Sequence, residues 1–223
     1  MDFNDSQQEA AFRKEARDFL EANAEKRSII SDKPNDKSPQ IAVAGAPETV
    51  KGGKEAAQEA LERAKVWQKK KAEAGFAAIL WPKEFGGYGG SPIQQVIYSQ
   101  EEHDYLVPSG YFEIGIGMLG PTMMVWGKDE DKKRYLPKMI TGEEIWCQLF
   151  SEPSAGSDLA GIKMKAEKDG DEWVLNGQKV WTSGAHFADY GMIVARSDPS
   201  ALKHKCLTYF YLDMKTPVVE VRP

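Results

Sequence analysis

The chain has 223 residues, 41% of them hydrophobic and 28% charged, with a formal net charge of −5 at pH 7. That is enough apolar material for a core without disulfide or metal staples, and the acidic balance argues against a nucleic-acid binder, which normally shows a basic face. No apolar run approaches the ~20 residues of a membrane span. The acidic, polar N-terminus has no signal-peptide pattern, so a cytoplasmic location is expected.

The first element reads as a helix. Ser6-Gln7-Gln8-Glu9 has the capping-box pattern, and Phe12, Ala16, Phe19 and Leu20 then share one face. Residues 28–55 are rich in Pro, Gly, Ser, Lys and Asp and read as an exposed connection. A second helix is predicted over about residues 54–74, with Ala57, Leu61, Ala64 and Trp67 inward and Gly75 as its stop. Residues 81–90 form a glycine-dense loop. Ser91-Pro92-Ile93-Gln94 then opens a third helix, with a serine cap, proline at the first helical position and glutamine three after the cap. The apolar, glycine-bearing stretch 108–127 fits either a helix that something approaches closely or tight helix–helix packing. A short helix over 129–136 places acids early and bases late, and Pro137 is expected to break it.

From Ile145 the pattern changes to alternation with β-branched and aromatic residues. Asn176-Gly177 suggests a hairpin over 172–181, and residues 190–196 and 207–213 read as further strands. Residues 218–223 look like a strand entering a turn, and a β domain cut there would expose an edge. The predicted class is therefore α+β: an all-α N-terminal domain, residues 1–145, then a β-barrel or sandwich-like middle domain, residues 146–223, expected to be truncated.

The chemistry concentrates in two stretches. Ser151-Glu152-Pro153-Ser154-Ala155-Gly156-Ser157-Asp158 follows an apolar strand and gathers hydroxyls and free backbone donors, suited to an anion or a polar ring edge. Trp181-Thr182-Ser183-Gly184 sets an indole beside two hydroxyls, suited to a flat heterocycle. Each alone is compatible with an ordinary turn or sheet core. Glu101, Glu102, Glu143 and Glu144 read as solvated charges, and Glu152 as a residue that shapes its turn. Met118, Leu119, Met123 and Met124 could line a pocket or be core. His103, His186 and His204 are scattered, so no metal site is expected, and Cys147 and Cys206 read as reduced buried thiols.

The combination resembles the acyl-CoA dehydrogenase family. The matching stretches are Trp81-Pro82 through Gly90, Gly120-Pro121, Tyr135-Leu136-Pro137-Lys138, Thr141-Gly142-Glu143, Ser151 through Asp158, Gly170-Asp171, Leu175 through Lys179, Trp181-Thr182-Ser183 and Ala195-Arg196-Ser197-Asp198. The resemblance implies FAD as cofactor, an acyl-CoA thioester as substrate and an electron-transfer flavoprotein as acceptor. It implies α,β-dehydrogenation, in which a base takes the α proton while hydride leaves the β carbon. It places Gln148, Phe150, Ser151, Trp181, Thr182 and Ser183 at the cofactor and Ser157 at the CoA arm. Ser151 and Ser183 stand where the family usually has threonines, and Thr182 where it has an apolar residue. The family's catalytic glutamate lies in a C-terminal helical domain, so no catalytic residue is expected in this chain. Weak or absent flavin binding, inactivity alone and a homotetramer at full length are the corresponding expectations. A non-catalytic subunit or assembly module, and an acyl-CoA oxidase, are the alternatives.

Overall fold

The computed structural model describes residues 4–27 and 53–222. Most of the connection expected over 28–55 lies outside the described residues. The chain divides into two compact units, Met1–Glu143 and Glu144–Pro223.

The first unit is helical. Helix α1, Gln7–Asn23, opens with the capping box: Ser6 Oγ accepts from the Glu9 amide at 3.3 Å, and Glu9 Oε2 accepts from the Ser6 amide at 2.7 Å. Strand β1, Glu25–Lys26, follows, then α2, Gly53–Glu73, which ends before the left-handed Gly75. Helix α3, Pro92–His103, repeats the same cap through Ser91 and Gln94. Strand β2, Tyr105–Leu106, pairs antiparallel with β1. Phe12 and Ala16 of α1 pack with Ile97 and Tyr98 of α3 around Phe76 and Ile79. Ser91→Ala removes the side-chain acceptor of the α3 cap and is expected to lower stability by about 1 kcal/mol, read as a small fall in thermal midpoint.

Glu101 departs from the sequence expectation. It is buried on α3, where Arg13 Nη1 at 3.0 Å and Arg17 Nε at 2.9 Å hold its carboxylate. The Arg17 hydrogen bond is the largest influence keeping Glu101 ionised below its usual range. Two arginines one helical turn apart on α1 converge there, and long-range pairing of this kind has no local sequence signal. Glu102 is half-buried and accepts from Tyr98 Oη at 3.2 Å.

Residues 113–126 are helical, with a π-helical turn at Gly115–Leu119 leading into α4, Gly120–Trp126. Both sequence readings of this stretch find a place: the helix exists, and Gly120 is a packing glycine, since a Cβ there would fall inside the Trp81 ring. Leu119 and Met123 are core, Met118 is exposed and Met124 half-buried. Helix α5, Asp129–Thr141, runs through Pro137 instead of stopping there. Leu136, Met139 and Ile140 are all buried, and Gln68 Nε2 donates to the Ile140 carbonyl at 2.8 Å. Burial on both sides of the proline outweighs its lost hydrogen bond.

The second unit is a mixed sheet of β3, Trp146–Leu149, β4, Lys165–Asp169, β5, Glu172–Asn176, β6, Tyr190–Arg196, and β7, Leu207–Asp213. Strand β6 is central: β3 runs parallel along it, β4 joins it at Lys165–Arg196, and β7 pairs antiparallel on its other edge. Both faces of β6 are covered. Ile193 and Ala195 pack with Cys147, Leu149, Met164 and Met214, while Val194 packs with Ala155 and Ile162. That explains its unbroken apolar run. Burial pushes the Cys147 thiol up to about 12. Among the described residues the sheet does not close into a barrel. The fold is a helical N-terminal domain followed by a mixed β-sheet domain.

Two local expectations fail here. The hairpin is β4–β5, turned at Gly170-Asp171 with Gly170 at φ 60°, not at Asn176-Gly177. Gly177 serves a close approach, because a Cβ would lie 2.6 Å from Met164 Cγ. Residues 218–222 form no strand; the Val219 amide instead closes a turn onto the Thr216 carbonyl at 2.9 Å, and Val218 is exposed.

Candidate functional site

The site is built at the end of β3, in the second unit. Cys147 and Leu149 of β3 face the core, so Gln148 points to the opposite face and is half-buried. The chain then leaves the sheet. Phe150 packs against Tyr209 of β7 with ring centroids 5.6 Å apart. Glu152 and Ala155 exchange backbone hydrogen bonds of 2.8 and 3.1 Å, pinching residues 152–155 into a tight loop.

The two chemically marked stretches meet beside Ser151. The Val180 amide donates to the Ser151 carbonyl at 2.9 Å. Lys179 Nζ donates to the Phe150 carbonyl at 3.0 Å and to Glu152 Oε1 at 2.9 Å. Glu152 also accepts from the Lys163 amide, 2.6 Å, and the Met164 amide, 3.0 Å. The Glu152 and Lys179 side chains are 5% and 4% exposed. Burial opposes ionisation of Glu152, but those two amides and the Lys179 ammonium outweigh it, and its pKa falls below the usual value. Burial lowers the pKa of Lys179, with Glu152 opposing. Glu152 shapes the turn, as its sequence position suggests. Lys179 carried no role in the sequence reading, since its partner lies far back in the chain.

Directly after this pair comes Trp181, at φ 54° the one non-glycine residue with positive φ among the described residues. Its side chain is 88% exposed and makes no ring contact among the described residues. Thr182 Oγ1 is buried with no hydrogen-bond partner among the described residues. Ser183 is exposed, and the chain turns back through Ala185 to the Thr182 carbonyl, 3.3 Å, and Ala188 to the Gly184 carbonyl, 3.0 Å. The structure therefore brings Phe150 and Ser151 against Lys179 and Val180. Ser157 is placed differently. It is exposed beyond the pinched loop, next to Asp158, whose carboxylate pairs with Lys203 at 2.7 Å. His186 is an exposed loop residue edge-on to Phe187, 4.8 Å between centroids.

An exposed indole in a strained backbone, beside a buried hydroxyl awaiting a partner, suits a planar ring with polar edges. The residues present fit a flavin: an indole for its ring, and the hydroxyls of Ser151, Thr182 and Ser183 for its heteroatoms.

A helical domain followed by a mixed β-sheet domain, with such a face on the latter, is the architecture against which known proteins compare. Residues 47–143 match the model of the acyl-CoA dehydrogenase N-terminal domain, and residues 147–223 that of the acyl-CoA dehydrogenase middle domain. Acyl-CoA dehydrogenase IpdE1 of Mycobacterium tuberculosis is 39% identical over 172 residues, which is 77% of this chain and 45% of that protein. Among solved structures, the Tcur3481-Tcur3483 steroid ACAD gives a TM-score of 0.73 at 30% identity, covering 97% of this chain and 50% of the other. The ChsE4-ChsE5 complex from Mycobacterium tuberculosis gives 0.70 at 27% identity, covering 96% and 49%. The chain belongs to the acyl-CoA dehydrogenase family. It spans half or less of the length of the relatives it matches.

Proposed function

We propose that this chain supplies the N-terminal helical domain, residues 1–145, and the middle β domain, residues 146–223, of a cytoplasmic FAD-dependent acyl-CoA dehydrogenase. The observation that carries the reading is the Trp181 face: an exposed indole at positive φ with the unpartnered Thr182 hydroxyl beside it. Gln148, Phe150, Ser151, Trp181, Thr182 and Ser183 would hold the FAD, and Ser157 the CoA arm of an acyl-CoA substrate. Bound FAD supplies a two-electron acceptor for α,β-dehydrogenation, passing electrons on to an electron-transfer flavoprotein. The chain's own residues bind and orient: Trp181 covers the ring, and the hydroxyls donate to heteroatoms where negative charge develops. No carboxylate of this chain is assigned as the α-proton base. Glu152 is committed to Lys179 and two amides, and Glu101 to two arginines.

The test is a visible-absorption and fluorescence titration of the chain with FAD, then anaerobic addition of acyl-CoAs, steroid-derived thioesters included because a steroid ACAD is among the similar structures. Perturbed flavin absorbance that weakens in Trp181→Ala, without bleaching by any thioester, is expected. Flavin indifferent to Trp181→Ala and Ser183→Ala overturns the site, and bleaching by the chain alone overturns the absence of a base. A second reading, one subunit of a two-component enzyme, is favoured by the paired chains of the similar solved complexes. Co-purification with a second dehydrogenase-like chain, with bleaching restored only in the pair, distinguishes it.

A further inference from the structure

The Lys179–Glu152 pair is expensive for what it does to the core. Removing two charges from water costs several kcal/mol per ion, and a packed apolar pair would hold the same segments with no such cost. Its position explains its presence better than stability does. Lys179 Nζ bridges the Phe150 carbonyl and Glu152 Oε1, the two neighbours of Ser151, while the next amide, Val180, donates to Ser151 itself. Glu152 in turn is fixed by the Lys163 and Met164 amides, so the strut is anchored to the segment leading into β4.

Immediately beyond the strut the backbone is strained. A tryptophan at φ 54° is a rare conformation, and an indole 88% exposed gains no packing in return. Such strain persists only where both flanks are held. Upstream, Lys179 and Val180 are pinned to residues 150–152. Downstream, Ala185 and Ala188 close a turn on Thr182 and Gly184. We infer that the buried Lys179–Glu152 pair is a positioning device that holds Trp181 in its positive-φ conformation, presenting the indole and the exposed Ser183 as a preformed face for a planar ring ligand. Neither residue touches the ligand; both act through Trp181. With flavin as that ligand the inference rests on the function proposed above, but the positioning itself does not. Preorganisation raises affinity by removing the ordering cost from the binding step.

The experiment uses the full 223-residue chain labelled with 5-fluorotryptophan, the Trp181 signal being assigned by Trp181→Phe. Lys179→Met removes the ammonium and keeps its stem. Glu152→Gln with Lys179→Met removes both charges and covers the case in which the single variant unfolds. The expected result is one sharp Trp181 ¹⁹F resonance in the native chain, shifted or exchange-broadened in the variants. Tyr190–Arg196 and Leu207–Asp213 remain folded and protected in the double variant, where no buried charge is left unpaired, and FAD affinity falls by about tenfold or more, ~1.4 kcal/mol per decade. An unchanged Trp181 resonance in a folded variant overturns the inference. Loss of β6 and β7 protection in both variants also overturns it, because the pair would then serve the whole unit. If the resonance moves as expected while FAD fails to bind even the native chain, the positioning role stands and the flavin reading fails.

Discussion

Glu152→Gln is expected to cost the second unit about 3–5 kcal/mol, the range for breaking a buried ion pair from one side. The amide keeps an acceptor for one backbone donor, but it leaves the Lys179 ammonium, 4% exposed, without its counter-charge. Lysine must then deprotonate or drag water inward, and the bonds to Phe150 and through Val180 to Ser151 loosen with it. Changing both partners, Glu152→Gln with Lys179→Met, is expected to cost less than the single change, because no buried charge remains. Urea unfolding of the four proteins of the cycle measures the coupling. The pH dependence has a definite sign. Glu152 titrates below its unfolded value of 4.5. Its contribution is therefore complete above that pH and is lost as pH falls through the lowered folded value. Acid unfolding of the native chain carries this component, and Glu152→Gln should lack it. A single variant no less stable than the double one would remove the ion pair as the cause.

This pair also marks where sequence reading stops. Capping is local, so Ser6 with Glu9 and Ser91 with Gln94 announced α1 and α3 from a few residues each. The β6 and β7 spans were legible because an unbroken apolar core in one and an aromatic-rich run in the other mark strands of seven residues each. Two turns were not, for a physical reason. Asn176-Gly177 has the composition of a hairpin turn, but its glycine is required by Met164 across the sheet, and the turn sits at Gly170-Asp171 instead. Pro137 has the composition of a helix stop, yet tertiary burial of Met139 and Ile140 carries α5 past it. At the site, composition singled out both hydroxyl-bearing stretches, and the structure ties residues 150–152 to Lys179 and Val180, just before Trp181. What joins them is a lysine and a glutamate whose partnership only the folded chain displays. Glu101 with Arg13 and Arg17 repeats that lesson in the helical unit.

Trp81→Ala is expected to be the most damaging change in the first unit, at about 3–5 kcal/mol for truncating a buried tryptophan. More than volume is at stake. In the π-helical turn Gly115–Leu119, the Gly120 amide bonds back to the Gly115 carbonyl, not to Ile116 as an α-helix would have it. The next residue is Pro121, which has no N–H to offer. In the π register Ile116 is thus left with a carbonyl that no helix amide reaches, and Trp81 Nε1 donates to it at 2.8 Å. Gly120 completes the arrangement, because any Cβ there would collide with the Trp81 ring. The three features require one another, which makes them separable by experiment. Trp81→Phe keeps most of the ring but loses the donor, and should cost about 1–3 kcal/mol for the orphaned carbonyl. Gly120→Ala should be strongly destabilising beside Trp81 and far milder in the Trp81→Ala background, where the methyl enters the vacated space. With its outside donor gone, the turn in Trp81→Phe gains by passing the Gly120 amide to Ile116, converting π register to α. Opposite changes in the carbonyl ¹³C shifts of Gly115, which loses a donor, and Ile116, which gains one, would report that change. Additive costs for Gly120→Ala and Trp81→Ala would show instead that the glycine answers to the helix alone, not to the indole.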